Sequence, residues 1–435
     1  MRSVSFSAVN AGVVAMAVSY AGPLALVLAA ADKAGLSAAQ RSSWVWAISI
    51  GAGLTCAGLS WWTRTPVITA FSTPGAAILV TALAQHDYAE AVGAFLCAGV
   101  AATVLTATGV FARVLARIPE GVVSAMLAGI LFSFGTAIFT SLRSAPLLAG
   151  AMVVGYLLAK RLWPTYAVMC ALGVGLAVAA AGGGLRLHLA GPGLAVPHLT
   201  VPHFSAGALL GIGVPLLVAT LAGQYAPGMA VLRADGYRPD ERLVCATTGA
   251  VSTLLAPFGS HAVNPAAITA AICTGPEAHR DPARRWVAGV SCGIGYLVVG
   301  CFGSTLVALF TGLPKPLVAT LAGVALLGAL SGSLARTVAD ERHRDASVIT
   351  FLATASGVTV AGIGSPFWGL LAGVVAHVLL GSRRDQPAGA LGEDRHLEAA
   401  GGAERRGQLA DHPADGAGGD AEPPGDRLVG QPLRE

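Results

Sequence analysis

Few polar side chains interrupt the apolar stretches of this chain, and they gather at a few places. None of the 23 Asp and Glu residues falls in the middle of an apolar stretch, so the buried carboxylate that a cationic substrate favours is missing. Hydroxyl, amide and imidazole groups without a carboxylate are instead typical of a site for an anion. The candidates are Ser19 with Tyr20, Ser72 with Thr73, Gln224 with Tyr225, and His261 with Asn264.

The stretch 256–275, APFGSHAVNPAAITAAICTG, contains the last of these groups. It is too short and too polar at its start for an ordinary membrane-spanning helix, which needs about 20 apolar residues. Residues 259–264 look extended, Asn264 is suited to cap a helix and Pro265 to occupy its first position. The sequence predicts a strand-like piece that leads into a half-helix starting inside the membrane. Such an N-terminus carries partial positive charge and attracts anions.

The stretch 66–84, PVITAFSTPGAAILVTALA, repeats this pattern in the first half of the chain. A β-rich piece leads into Ser72 and Thr73, which cap a short helix opened by Pro74. Pro74 matches Pro265 when one residue is dropped from the alignment. Two interrupted segments at corresponding places in two halves are the best sequence indicator of a transporter's binding site. The alternative is that both are re-entrant structural turns without a ligand.

The functional interpretation places all these groups at one site. Backbone N–H groups at Gly75, Ala76, Ala266 and Ala267 would hold a carboxylate between the two half-helices, and Gln224 would donate a side-chain bond. His261 would carry a coupled proton, because histidine titrates near neutral pH. Aromatic surface would come from Tyr20, Phe71, Tyr225 and Phe258. The predicted substrate-binding residues are Ser19, Tyr20, Phe71, Ser72, Thr73, Gly75, Ala76, Gln224, Tyr225, His261, Asn264, Ala266 and Ala267.

Each assignment has a structural alternative. Ser19 in a membrane helix often bonds only its own backbone. Tyr20 and Tyr225 are equally suited to simple packing, and His261 to a structural role. Gln224 needs a partner in an apolar span, which favours a binding role.

The composition identifies the class of protein. Of 435 residues, 54% are hydrophobic and only 11% are charged, whereas a soluble domain carries about 25% charged residues. The chain is therefore predicted to be a polytopic membrane protein without a cleavable signal peptide. All seven Cys lie in apolar segments without CxxC or Cys/His spacing, so we expect no disulfides, metal site or cofactor. The net charge of +4 is spread along loops, which gives nucleic-acid binding no support.

Fourteen apolar segments position the candidate residues. The halves resemble each other, and seven crossings per half make the second copy an inverted repeat. We predict a first repeat over 1–184, a connecting loop over 185–205, a second repeat over 206–381 and a disordered cytoplasmic tail over 382–435. The segments are 7–31, 44–62, 66–84, 88–112, 119–140, 144–160 and 165–183, then 206–231, 242–258, 260–275, 283–310, 314–333, 346–363 and 364–381.

Charge placement agrees with this topology. With a cytoplasmic N-terminus, 17 of the 27 basic residues lie on the inner side, including Arg383 and Arg384 at the start of the tail, five lie on the outer side, and the other five lie further along the tail. The positive-inside rule thus predicts that both termini lie in the cytoplasm. The chain itself is expected in the inner (plasma) membrane of the cell. The helices around 119–160 and 314–363 have fewer polar interruptions, and they would form a gate against which the site-bearing bundle moves.

Long strings of this sequence resemble one family, the benzoate:proton symporters of the BenE family. The resemblance covers about 9–380 and is carried by GLTCAGLSWWTRTPVITAFSTPGAAIL (53–79), YAPGMAVLRADGYRP (225–239), LLAPFGSHAVNPAAITAAICTGPEAHRDPARRW (254–286) and TASGVTVAGIGSPFWGLLAG (354–373). It implies the fold of the related nucleobase–ascorbate transporters. That fold has seven plus seven inverted helices, core and gate domains, and short paired strands in segments three and ten at the substrate site.

Two residues bear on how far the resemblance extends. The family more often has an aliphatic residue where this chain has Pro265. In the nucleobase carriers the eighth helix has a carboxylate at the site, where Gln224 stands here, and this argues against a nucleobase.

The expected function is secondary active, proton-coupled import of benzoate or a related aromatic carboxylate by alternating access. A transporter of another anion or a nucleobase on the same fold and a passive anion channel remain alternatives, and a homodimer is left open. An enzyme is disfavoured because the sequence has no nucleophile–base or metal cluster.

Overall fold

The structure is a computed structural model that describes residues 6–110, 113, 119–183, 185, 193–339, 341, 343–361 and 363–381. The predicted tail, 382–435, and most of the first part of the connecting loop lie outside the described residues. Each of the fourteen predicted segments contains a helix or a strand followed by a helix.

In the first half, the longest helices are separated by a short strand and a short helix. The break between α1 and α2 falls at Gly22–Pro23, where proline removes a backbone N–H from the helix. The elements are α1 (Phe6–Ala21), α2 (Pro23–Lys33), α3 (Ala38–Thr63), β1 (Thr69–Phe71), α4 (Thr73–Ala82), α5 (Tyr88–Ala107), α6 (Glu120–Ser144), α7 (Pro146–Leu162) and α8 (Ala167–Ala181).

The second half has the same order of long and short elements. Its first helix contains two π-helical turns, Leu209–Gly213 and Leu221–Tyr225. The elements are α9 (Ala206–Ala234), α10 (Glu241–Leu255), β2 (Val263–Pro265), α11 (Ile268–Thr274), α12 (Trp286–Cys301), α13 (Gly303–Thr311), α14 (Lys315–Ala339), α15 (Arg344–Ala355) and α16 (Ser365–Gly381).

Seven helices in the described part of the chain are long and apolar enough to cross a membrane, and α12 with α13 makes an eighth if this pair is one span. The chain is thus a mostly helical, multi-pass membrane protein. The seven are Phe6–Lys33, Ala38–Thr63, Tyr88–Ala107, Glu120–Ser144, Pro164–Ala181, Ala206–Ala234 and Lys315–Ala339.

Two predicted helices differ from the structure. The segment 283–310 is not one straight helix, because α12 and α13 meet at an angle of 72°. The segment 346–363 is helical only to Ala355. Gly357 follows with φ +66° and its N–H bonds to the Thr354 carbonyl, an arrangement that ends a helix.

The two short strands pair with each other in an antiparallel sheet. The register joins Thr69 to Pro265, Ala70 to Asn264 and Phe71 to Val263. The ladder continues by one bond at each end, from Ser72 N to the Ala262 carbonyl (3.0 Å) and from Ala266 N to the Ile68 carbonyl (2.9 Å). These two bonds are related by symmetry about the central pair, as in any antiparallel ladder. The expectation that the two interrupted stretches lie side by side is therefore confirmed.

The remaining helices pack in two groups around this pair. One group surrounds the strands: α1 and α3 pack on α12, and α5 packs on α10. The helices approach closely through small residues, since a methyl group on Gly293 would lie 2.5 Å from the Ala57 nitrogen. In the other group α6 packs on α14 and α15, α15 packs on α16, and α7 packs on α8.

Candidate functional site

The junction of β1 with α4 is a capped helix start. Ser72 precedes α4, and its hydroxyl accepts a hydrogen bond from Gly75 N at 3.0 Å, as the sequence predicted. Ala76 N donates to the Ser72 carbonyl at 2.9 Å. The prediction that Gly75 and Ala76 offer free N–H groups is therefore wrong, because a cap satisfies the same donors that an anion would use. Thr73 is the first residue of α4, is half-buried, and its hydroxyl has no hydrogen bond within the described ranges.

The junction of β2 with α11 differs from the sequence prediction. Asn264 and Pro265 lie in the strand, and α11 begins three residues after Pro265, at Ile268. Proline is accepted in β2 because it stands opposite Thr69 between two hydrogen-bonded pairs, where a strand N–H points away from its partner. Val263, two residues earlier, shows this direction, since its N–H donates to the Ser252 hydroxyl at 2.8 Å. Asn264 is thus not a helix cap, and Pro265 is not a first helical residue.

The N–H of Ala266 is also occupied, by the Ile68 carbonyl, so it is not the free donor that the sequence predicted. Ala267 is the residue immediately before α11. Among the four predicted backbone donors, only the Ala267 N–H has no acceptor within the described part of the chain. The two half-helices therefore present fewer backbone donors than a simple alignment of their sequences indicates.

His261 connects three elements in the interior. Its Nε2 lies 2.9 Å from the Ser72 carbonyl oxygen, which can only accept, and its Nδ1 lies 3.1 Å from Trp44 Nε1, which can only donate. The ring is therefore neutral with the proton on Nε2, and both nitrogens have partners. Trp44 and Phe95 place their rings against it, with centroids 5.8 and 6.3 Å away. A second proton on Nδ1 would face the Trp44 N–H, so it requires this contact to break.

Tyr20 and Phe71 come together beside the start of α4. Their ring centroids are 5.9 Å apart, and the ring centroid of Tyr296 lies 5.4 Å from that of Tyr20. The Tyr20 hydroxyl donates to Ser49 Oγ at 2.5 Å. Ser19 instead donates to its own backbone, to the Ala15 carbonyl at 3.0 Å, which is the structural alternative for that residue.

Asn264 faces a small internal cavity of about 10 Å³ between β2, α5, α9 and α10. Its side-chain amide is buried, and neither the nitrogen nor the oxygen has a hydrogen-bond partner within the described ranges. A volume of this size is about that of one water molecule and too small for an aromatic acid. The lining also includes Thr220, Tyr225 and Ser252.

The π-helical turn Leu221–Tyr225 decides which side chain of α9 faces β2. Tyr225 is fully buried and lines the cavity of Asn264, with its hydroxyl 3.3 Å from Thr248 Oγ1. Gln224 is half-buried and does not line that cavity. Gly228, one turn further, packs on β2, where a methyl group would lie 2.8 Å from the Pro265 carbonyl. Tyr225 thus lines the cavity of Asn264, whereas the rings of Tyr20 and Phe71 pack on each other.

Comparison with known proteins identifies the family. The family model described as "Benzoate membrane transport protein" matches residues 2–379. The chain belongs to the BenE family. The resemblance found in the sequence is thereby confirmed, and the chain is a membrane transporter of this family.

The relatives of this BenE chain match it almost end to end. It is 41% identical to "Inner membrane protein YdcO" of Escherichia coli (strain K12) over 370 residues, which are 85% of this chain and 95% of that protein. It is 39% identical to the "Benzoate membrane transport protein" of Acinetobacter baylyi (strain ATCC 33305 / BD413 / ADP1) over 376 residues, which are 86% of this chain and 95% of that protein.

The fold is similar to that of a solved transporter domain. The structure matches the transmembrane domain of a cyanobacterial bicarbonate transporter, BicA, with a TM-score of 0.54 and 17% identity, over 86% of this chain and 98% of that one. At this identity the match shows the fold alone.

Three residues that contact the candidate groups were missed in the sequence. Trp44, at the start of the apolar segment 44–62, was not among the candidate residues, although it is the hydrogen-bond donor to His261. Tyr296 was read as part of an apolar span, and a lone tyrosine in GIGYLVV is a signal that could have indicated it. Ser252 was not considered, because only the structure shows that its hydroxyl bonds the β2 backbone. Within the described ranges, no three His, Cys, Asp or Glu residues are placed to hold a metal ion.

Proposed function

We propose that this BenE chain imports benzoate or a related aromatic monocarboxylate together with a proton, by alternating access across a bacterial inner membrane. Its curated relatives carry the names of a benzoate transporter and an inner membrane protein. The observation that carries the proposal is the symmetric pairing of β1 with β2, which brings two helix starts to one place in the interior.

The carboxylate would bind beside the start of α4. The available donors there are the Thr73 hydroxyl and the Ala267 N–H, with Gln224 of α9 as a further donor when the groups of helices move. The aromatic ring of the substrate would pack on Tyr20 and Phe71, whose rings already lie in contact. The absence of a carboxylate from the described residues at this junction, and the positive end of α4, favour an anionic ligand.

Fourteen crossings are supported by hydrogen bonds near the ends of the segments. His198 N donates to Ser43 Oγ at 2.8 Å, and this bond joins the connection before the eighth segment to the first turns of α3, at the start of the second. The Tyr237 hydroxyl donates to the Pro282 carbonyl at 3.1 Å and joins the connections after the eighth and the tenth. If the third or the tenth segment did not cross, one of these pairs would be on opposite sides of the membrane.

Labelled benzoate uptake into proteoliposomes tests the function. With acid outside we expect accumulation against the benzoate gradient, which a protonophore abolishes and other aromatic acids inhibit by competition. Protein-free liposomes correct for passive entry of the neutral acid. Uptake that does not saturate and ignores the pH gradient would indicate an anion channel, and competition by uracil but not benzoate would indicate a different substrate.

His261→Gln tests the predicted proton carrier. The hydrogen bonds of His261 require Trp44 to move before the ring takes a second proton. If His261 carries the proton, the variant loses proton-driven accumulation and keeps benzoate counterflow at equal pH. If accumulation is retained, the coupling passes through another group.

A further inference from the structure

Two histidines and one glutamate, all distant from His261 in the sequence, lie close together in space. His86 Nδ1 is 3.4 Å from Glu90 Oε2, and His203 Nδ1 is 3.9 Å from Glu90 Oε1. His203 is tied to the start of α5, because its backbone N–H donates to the Ala89 carbonyl at 2.9 Å. One carboxylate is thus shared by imidazoles from two different connections.

His86 is the buried member of this cluster. Only 8% of its side chain is exposed, and its Nε2 has no hydrogen-bond partner within the described part of the chain. The ring lies against the first π-helical turn of α9: a methyl group on Gly211 would be 3.2 Å from His86 Nε2 and 3.6 Å from Gly364 N. His86 therefore stands where α9 meets the turn that leads into α16.

This place joins the two groups of helices. α9 packs on α4 and α5 in the group around the strands, whereas α16 packs on α15 and α6 in the other. The connections that meet here, 83–87, 193–205 and 363–364, all lie on the side that the charge distribution predicts to be external. The titratable groups that face His86 are Glu90 from α5, His203 from the connecting loop and Asp87 beside it, and the described residues of α9 and of the 363–364 turn add none.

We propose that His86, Glu90 and His203 form an external proton-binding site at the place where the two groups of helices meet. The proposal rests on the proton-coupled transport proposed above and names the site at which the external proton first binds. None of these residues contacts the junction of β1 and α4, so the site is separate from the substrate site.

The chemistry of the cluster explains why a proton would act here. A neutral imidazole gives Glu90 one hydrogen bond, whereas an imidazolium gives it an ion pair in partly buried surroundings, where the attraction is stronger than in water. A proton on His86 also converts Nε2 from an acceptor into a donor that faces the backbone at Gly211 and Gly364. Proton binding therefore strengthens the attachment of the loop and changes the contact between α9 and the turn before α16.

The test compares proton-driven accumulation with exchange in proteoliposomes. External pH is varied from about 8 to about 5.5, a range that includes the ordinary pKa of histidine of about 6.5, while internal pH is held constant. The variants are His86→Gln, Glu90→Gln and the exposed His203→Gln. His198→Gln is the matched control, because it lies in the same loop and its described hydrogen bonds are made by its backbone.

We expect external acid to stimulate uptake at least about fivefold less in His86→Gln and Glu90→Gln than in the unmodified protein. A change of this size is within the range of ordinary couplings between sites. His203→Gln loses part of the acid stimulation, His198→Gln loses none, and counterflow of benzoate at equal pH is retained in all four. The proposal is overturned if the variants keep the pH profile of the unmodified protein, or if only internal pH matters.

A second measurement does not depend on benzoate. Side-chain NMR of protein labelled at histidine, over the same pH range, should give a titrating signal that is missing in His86→Gln and altered in Glu90→Gln but not in His198→Gln. Absence of such a signal overturns the proton site. If it is present and the unmodified protein does not accumulate benzoate, the function proposed above fails and the proton site stands.

Discussion

Ser72 is the residue whose replacement tests the capped start of α4 most directly. Its hydroxyl accepts from Gly75 N at 3.0 Å, and the residue is 1% exposed. Loss of such a cap costs about 0.5–2 kcal/mol, and a buried donor left without an acceptor costs about 1–3 kcal/mol. Both figures describe the same lost bond, so we expect Ser72→Ala to lower the free energy of unfolding by about 2 kcal/mol.

The matched control is Ser37→Ala. Ser37 caps α3 in the same way, accepting from Gln40 N at 3.3 Å, but it is exposed and water can replace its hydroxyl. We expect a cost of about 1 kcal/mol or less there. Ser72→Thr keeps the hydroxyl and should behave nearly as the unmodified protein. Thermal unfolding of the purified protein in detergent, with all variants in one buffer, measures the order of these effects.

A ligand makes the same variant informative about the site. Ser72→Ala leaves the Gly75 N–H free beside the proposed position of the carboxylate. Benzoate should therefore stabilise Ser72→Ala by more than it stabilises the unmodified protein, because binding only to the folded state raises stability. If Ser72→Ala and Ser37→Ala have the same unfolding stability, the buried, capped start of α4 is refuted. Equal benzoate stabilisation of Ser72→Ala and the unmodified protein would refute the position of the carboxylate.

Two further predictions concern the supports of this junction. Gly228→Ala places a methyl group 2.8 Å from the Pro265 carbonyl, so we expect it to lower the free energy of unfolding by about 1–3 kcal/mol. Gly173→Ala is the control, because no atom lies within 4 Å of the added methyl group. It should be neutral or slightly stabilising in thermal unfolding. Arg285 is buried and donates from Nη1 to the Thr274 carbonyl at the end of α11 at 2.6 Å. Arg285→Gln should cost about 1.5–3 kcal/mol, since a charged donor at a helix C-terminus is lost, and an unchanged unfolding midpoint would contradict this.

Local sequence signals predicted the structure correctly where the interaction itself is local. Ser72 was predicted as a cap of α4 because its hydroxyl reaches only three residues along the chain, and the structure has that bond. The many apolar segments and the absence of carboxylates within them likewise follow from composition alone. The family resemblance rests on long strings, and the family match over 2–379 confirms it.

Local signals failed where a distant partner decides the conformation. Asn264 and Pro265 have the residue types of a helix start, yet pairing with β1 keeps them in a strand. The same residue types suit a non-hydrogen-bonded strand position, and the sequence cannot distinguish the two without knowing the partner. Matching Pro74 with Pro265 is therefore wrong by four residues: α4 begins one residue before Pro74, at Thr73, while α11 begins three residues after Pro265, at Ile268.

The sequence by itself determined that this chain crosses a membrane many times, that two interrupted segments lie together, and which family it belongs to. The tertiary structure decided which donors are occupied and which side chains meet. The π-helical turn of α9 turns Tyr225 rather than Gln224 toward the cavity of Asn264. The cluster of His86, Glu90 and His203 exists only because separate connections fold to one place. Hydrogen bonding and packing between distant segments depend on the path of the whole chain, and no local pattern contains that information.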